Sequence, residues 1–327
     1  MVLTKNKLML IAFILMIMFF VALFFAPESL IGHRDDTLWL FIPKIMFLAL
    51  TAAIAIVFVL IFIFRNEYIK SQLNTFNRFK YYLRLLIKRD FVSRYRKSVL
   101  GVLWSLLNPI LLMLVMTLVF SMLFRFDIEY FPVYLLSGQL IFNFFSESTT
   151  LAMNSVIASE GVIKKIYIPK YMFPLSKVIS TLVQIAFSLA AFFVVVAVTG
   201  APFHWTMFLI PIPIVFIFVF SLGIAMLISS LAVFFRDLTY LYGILTTILM
   251  YLSAIFWPVK ILEGGPLENL IGLNPIYQFI TYFRHIVYWG TIPDLWSTFV
   301  CIGFALGALC VGTYVFIKQQ DNYILSL

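Results

Sequence analysis

Apolar runs of about 20 residues, each long enough to cross the roughly 30 Å hydrocarbon core of a bilayer as a helix, recur along the chain. They fall at about 8–26, 43–64, 99–124, 132–157, 174–199, 205–233, 238–257 and 295–317. Eight such spans predict an all-α polytopic membrane protein with both termini on one side. Of the 23 Lys and Arg residues, all but Arg34, Lys44, Arg125, Lys260 and Arg284 fall on the side of the termini. The excess of Lys and Arg in cytoplasmic segments makes that side the cytoplasm.

The segment at 266–290 is also apolar, and a crossing there would reverse the C-terminus. Asn274 followed by Pro275 reads as an N-cap and first helical residue. A helix from there to Trp289 spans about 22 Å, too short to cross, and carries Arg284 and His285 near its middle. A pair of half-helices dipping in from the outer face accounts for the length, the break and the charges.

Between the second and third spans lies a basic segment. Lys80, Arg84 and Lys88 line one helical face, with Tyr82, Leu83, Leu85 and Leu86 across from them, predicting an interfacial helix. Ile87 and Phe91 fall on the basic side, so the amphipathicity is incomplete. The same pattern suits an ordinary juxtamembrane anchor. The segment Ala158–Tyr171 (ASEGVIKKIYIPKY) forms a short cytoplasmic loop with Lys164 and Lys165 among isoleucines, ended by Pro169.

Composition closes off other classes. The chain is 63% hydrophobic and 11% charged over 327 residues, so its net charge of +9 belongs to membrane topology and anionic lipid rather than to nucleic acid. Cys301 and Cys310 sit nine positions apart in one helix, about 13 Å along its axis, too far for a disulfide. No His, Cys or carboxylate set has metal-ligand spacing, and no catalytic carboxylate pair or Ser-His-Asp set stands out. No G-x-x-x-x-G-K-[ST] phosphate loop occurs, so this chain is not itself an ATPase of that kind. Residues 8–26 lack a small-residue cleavage site and read as a retained anchor.

Polar residues inside spans are informative because burying them is costly. Glu147 lies about ten residues from the cytoplasmic end of its span and Gln184 about ten from that of the next. Both are near 15 Å depth, which predicts an interhelical hydrogen bond. Glu147 fits either a structural role or a polar pathway. Aromatic residues crowd the outer half and suit a glycan, whose sugar rings have apolar faces.

Five ordered blocks carry a resemblance. They are RYRKSVLGVLWSLLNPILLMLVMTLVFSMLFR (94–125), FPVYLLSGQLIFNFFSES (131–148), GVIKKIYIPKYMFPLSKV (161–178), FFRDL (234–238) and LNPIYQFITYFR (273–284). The chain resembles, over about 79–320, the membrane subunit of type-2 ABC exporters that move O-antigens, teichoic acids and capsular polysaccharides. The resemblance implies a homodimeric permease in a bacterial inner or plasma membrane, working with two copies of a separate ATPase that binds ATP and Mg, while this chain holds no cofactor. It divides the chain into a two-helix extension (1–66), an interfacial helix (67–98) and a six-helix transport domain (99–320).

By the same resemblance, Glu160, Lys164, Lys165, Tyr167 and Pro169 would dock the ATPase, with Arg94, Tyr95 and Arg96 beside them. Arg94, Arg96 and Lys97 would also suit a pyrophosphate-linked lipid head group. Asn274, Pro275, Tyr277 and Arg284 would belong to an outer gate, and Tyr134, Phe142 and Phe145 to the pathway wall, where Glu147 joins them on its polar character within the span. The extra N-terminal pair departs from the family pattern. The rival readings are an ABC exporter of a small molecule or drug and an ATP-independent flippase.

Overall fold

The computed structural model describes residues 66–95, 101, 103–123, 128–258 and 271–323. The expected spans at 8–26 and 43–64, Arg96, Lys97 and residues 259–270 lie outside the described residues. Those described are helical with connecting turns. The helices are α1 (Asn66–Tyr95), α2 (Leu103–Leu123), α3 (Phe131–Met153), α4 (Glu160–Ile163), α5 (Met172–Thr199), α6 (Pro211–Phe234), α7 (Leu238–Leu252), α8 (Pro275–Val287) and α9 (Leu295–Gln319). Among the described residues, three stretches are long and apolar enough to cross a membrane on their own, Met172–Thr199, Trp205–Phe234 and Leu295–Asn322. Each of the six expected spans that fall on described residues contains a helix.

The core is built on α3, which packs against α5 and α6 and is backed by α8. The broadest pairing is α6 with α9. These helices meet where Gly223 faces Ala308 and Gly312 faces the Gly223 carbonyl; a Cβ at either glycine would overlap the other helix's backbone. Small residues at a crossing let two apolar helices approach closely when the hydrophobic effect gives them no reason to associate in lipid. Cys301 and Cys310 are both free and buried on α9.

Helix α1 explains the incomplete amphipathicity of its sequence. Leu83 and Leu86 are buried against Ile168, Met172 and Phe173, whereas Lys80, Arg84 and Lys88 are exposed. Phe91, on the basic side, stacks on Phe187 of α5 with ring centroids 6.5 Å apart. Leu85, expected on the apolar face, is exposed. Thus α1 serves two partners, the loop after α3 and the flank of α5. Asp90 fastens it, accepting from Lys177 Nζ at 2.7 Å.

Two boundaries differ from expectation. The fifth core span, expected to reach residue 257, is helical only to Leu252, so α7 is 15 residues and about 22 Å long. The chain continues without regular structure, with Ser253, Ala254, Ile255 and Phe256 buried and Ala254 at φ 48°. Helix α8 ends at Val287, and Arg284 and His285 lie in its last turn rather than near its middle.

Phe279 of α8 packs on Phe220, which packs on Phe145, so the first turns of α8 lie deep in the bundle. Its other end meets the start of the α6 segment, where Thr206 Oγ1 donates to the Ile286 carbonyl at 2.6 Å. Helix α9 then runs back, and Tyr323 is buried beside Val156 at the end that carries the basic loop. That end is called the basic end below.

Candidate functional site

At the basic end, the loop between α3 and α5 is a braced structure. A 3-10 turn at Ile157–Ser159 leads into α4, and Lys164 Nζ meets Glu160 Oε1 at 2.6 Å on the surface. An exposed i,i+4 pair of this kind contributes only about 0.3–0.5 kcal/mol, so the pair shapes the loop without holding it. What holds it is Ile168, buried with Leu83 and Leu86 of α1. On the other side Lys170 Nζ donates to the Gln320 carbonyl and lies 5.5 Å from the Tyr323 ring. Burial pulls the Lys170 amine below its ordinary range, partly offset by Asp321.

Between these braces Lys165 and Ile166 are exposed, Tyr167 is 90% exposed and Pro169 is half-buried. The result is an aromatic and aliphatic tip on a loop gripped from two sides. The grip by residues 319–323 has no signal in the sequence beyond an aromatic at position 323. Tyr95 closes α1.

Above this end, within the bundle, Arg94 reaches up from α1. Its Nη1 donates to Glu147 Oε1 at 2.5 Å and to Gln184 Oε1. In place of the expected direct Glu147–Gln184 hydrogen bond, a guanidinium bridges the two side chains and joins α1, α3 and α5. Arg94 was expected beside the docking loop or at a lipid head group; its guanidinium is instead engaged by these two side chains. About a third of each charged side chain is exposed, so water screens the pair. We expect Arg94→Met and Glu147→Gln each to lower stability in detergent. The double variant should lose less than the sum by about 0.5–1 kcal/mol. Strictly additive losses in chemical unfolding would show that the junction carries no coupling.

At the opposite end Arg284 is 1% exposed, and no described carboxylate forms an ion pair with it. Its Nη1 donates to the Ala254 carbonyl at 3.0 Å, its Nη2 to those of Tyr134 at 3.2 Å and Ile255 at 3.3 Å, and its Nε to Ser137 Oγ at 3.4 Å. The Tyr134 ring lies 3.5 Å from the guanidinium carbon. Gly138 makes room, since a Cβ there would come 2.9 Å from Nη2. Five N–H donors in a rigid fork suit such a task, because the carbonyls left free by the early end of α7 all need partners away from water.

Asn274 completes the arrangement. Its Oδ1 accepts from Ile276 N–H at 3.0 Å, capping α8, while its Nδ2 donates to the Leu252 carbonyl at 3.2 Å and to Ser253 Oγ at 3.0 Å, closing α7. One side chain thus serves two helix ends, and Pro275 occupies the first helical position. The Tyr134 hydroxyl donates to the Trp257 carbonyl at 3.2 Å. Tyr277 is half-buried on the first turn of α8.

Tyr134, Phe142 and Phe145, expected on a pathway wall, are each 5% exposed or less and packed in the core of the protomer. Side chains turned inward in this way have little surface for a passing ligand. Glu147 alone of that set is partly open.

The family model of the ABC-2 type transporter matches residues 81–288, from the middle of α1 to the end of α8. The O-antigen export system permease protein RfbA of Myxococcus xanthus is 26% identical over 74% of this chain and 94% of that protein. An RfbA of the same description from Klebsiella pneumoniae is 27% identical over 74% and 93%. The polysialic acid transport protein KpsM of Escherichia coli is 24% identical over 74% and 94%.

Proposed function

Because the chain belongs to the ABC-2 type transporter family, we propose that it is the membrane half of an ATP-driven exporter carrying a lipid-linked cell-envelope polysaccharide out of the cytoplasm. The observation that carries the coupling part of this reading is the exposed Ile166–Tyr167 tip, held on a loop braced by both α1 and the end of α9. A rigid mount with an apolar, aromatic tip suits a partner that delivers force, since aromatic anchors dominate the energetics of protein contacts. That partner is a separate ATPase, two copies of which bind ATP and Mg and close against two copies of this chain.

The basic end faces the cytoplasm, as the distribution of Lys and Arg requires. Pressure on the loop passes into α1 through Leu83 and Leu86, and onward to α5 through Asp90–Lys177 and the Arg94 junction. Asn274 and Arg284 tie the end of α7 to α8 as one unit, which together with Pro275 and Tyr277 on the first turn of α8 serves as the outer gate. Relatives named for O-antigen and polysialic acid support a polysaccharide cargo.

In cells lacking the chain, surface polysaccharide is expected to disappear while lipid-linked glycan accumulates inside, with both restored by the wild-type gene. Unchanged surface polysaccharide together with altered sensitivity to toxic small molecules would contradict this reading and favour a small-molecule exporter.

A further inference from the structure

One face of α1 mixes two characters. Arg84 and Lys88 stand one turn apart, and at 100° per residue Ile87 and Phe91 fall within about 60° of Arg84 on the same face. Like charges at this spacing repel. Among the described residues neither cation forms an ion pair, and the neighbouring carboxylate, Asp90, is engaged by Lys177 and Arg89.

Helix α1 climbs α5 from its cytoplasmic end. Leu83 and Leu86 are buried with Met172 and Phe173, Asp90 accepts from Lys177, and Arg94 reaches Gln184. Along one flank of that pairing lies a cleft of about 280 Å3. Arg84, Lys88 and Ser180 supply its polar groups, and Ile87, Phe91 and Val183 its apolar surface. Phe91, the last of these along α1, stacks on Phe187. The cleft is therefore basic toward the cytoplasmic surface and apolar toward the membrane interior. Beyond it the exposed face of α5 continues as Val183, Ala186, Ala190 and Val194, at intervals of three and four residues.

That gradient fits a molecule with an anionic head and hydrocarbon chains. A guanidinium and an ammonium one turn apart can hold a phosphate between them, the first through its fork and the second as a point charge, so their repulsion gives way to a shared attraction. A recess of this size, at the small end of ligand sites, takes a head group and leaves the chains outside, along the α5 stripe.

We propose that this cleft binds an anionic phospholipid of the cytoplasmic leaflet, with its phosphate between Arg84 and Lys88 and a chain along α5. The occupant is a resident lipid rather than cargo. The seam between α1 and α5 is closed by the Leu83 and Leu86 cluster, by Asp90 with Lys177 and by the Arg94 junction, so the cleft is a recess on the pair and not an opening through it. Seated there, the lipid joins α1 to α5 and reinforces their packing.

The test titrates phosphatidylglycerol into the delipidated full-length transporter in detergent and counts bound lipid per chain by native mass spectrometry. The first lipid should bind at least about tenfold more tightly than phosphatidylcholine with the same chains. Arg84→Gln combined with Lys88→Gln should weaken it at least about tenfold, since each cation near an anionic lipid is worth roughly fivefold. Arg78→Gln with Lys80→Gln removes the same charge from the same helix outside the cleft, and should weaken binding less than about threefold. All four side chains are exposed, so unfolding temperatures without lipid should stay within about 1 °C of wild type, and lost binding then does not reflect lost folding.

Equal affinity for the two lipids, or equal weakening by the two double variants, would show diffuse surface charge and overturn the site. Displacement by inorganic pyrophosphate at matching concentration would leave a free-phosphate site, and tighter binding of a polyprenyl pyrophosphate would give the cleft to cargo; either result overturns the proposal. Lipid binding needs neither the ATPase nor a polymer, so it can fail while polysaccharide export holds, and the reverse.

Discussion

Arg284→Met lowers the unfolding temperature of the detergent-solubilised protein by about 6–12 °C. That is the expected result of removing a side chain whose four polar contacts join three separate stretches of chain, around residues 134–137, 254–255 and 284. The carbonyls of Ala254 and Ile255 follow a helix that stops early, and they lie in a buried segment. Each buried acceptor left without a donor costs about 1–3 kcal/mol, so a total near 3 kcal/mol is a reasonable expectation. At about 2–4 °C per kcal/mol for a chain of this size class, the stated drop follows.

Arg284→Lys keeps the charge but offers a single nitrogen in place of a fork, and it forfeits the close contact of the guanidinium with the Tyr134 ring. It is expected to recover less than half of the loss. The readout is the temperature at which buried Cys301 begins to react with a thiol-sensitive dye. A shift under about 2 °C for both variants would show that these carbonyls find other partners, and that Arg284 is dispensable to the fold.

The second large effect lies at the other end. Ile166→Asp combined with Tyr167→Asp should cut polymer export at least about tenfold, and should remove the partner ATPase from the purified complex, because central aromatic anchors each carry about 2 kcal/mol or more. Both side chains are exposed in the protomer, at 59% and 90%, so the unfolding temperature should move by no more than about 1 °C. Ile168→Asp is the contrast. Its side chain is buried with Leu83 and Leu86, so a carboxylate there should destabilise the whole basic end. Retained ATPase binding and export in the double variant would place the docking surface elsewhere.

Why some of this is legible in the sequence and some is not follows from range. The Asn274–Pro275 cap is a local event, decided by one side chain and the amide two residues on, and it stands where the dipeptide places it. The face of Lys80, Arg84 and Lys88 is likewise local. Ile87 and Phe91 look like flaws in that helix because a periodicity has one axis, whereas α1 has two partners. The end of α7 at Leu252 is not legible, since Ser253–Trp257 reads as more of the same apolar span. Its carbonyls are tolerable only because Arg284 and Asn274 arrive from more than 20 residues later in the chain.

Sequence neighbours place Arg94 beside the docking loop, yet its guanidinium belongs with Glu147 and Gln184, 53 and 90 positions away. The aromatics of α3 show the same limit. An aromatic-rich stretch reveals apolar bulk but not which side faces inward, so Phe142 and Phe145 read as lining when the residues between and beside them, Asn143 and Glu147, are the open ones.

The most direct measurement of the exporter role is ATP-dependent transfer of lipid-linked glycan across vesicles reconstituted with the chain and the ATPase that copurifies with it. Transfer that requires both subunits, and that stops when the ATPase's nucleotide site is inactivated, is the expected result. Transfer that continues with the ATPase absent or inactive would contradict an ATP-driven exporter and leave an ATP-independent flippase in its place.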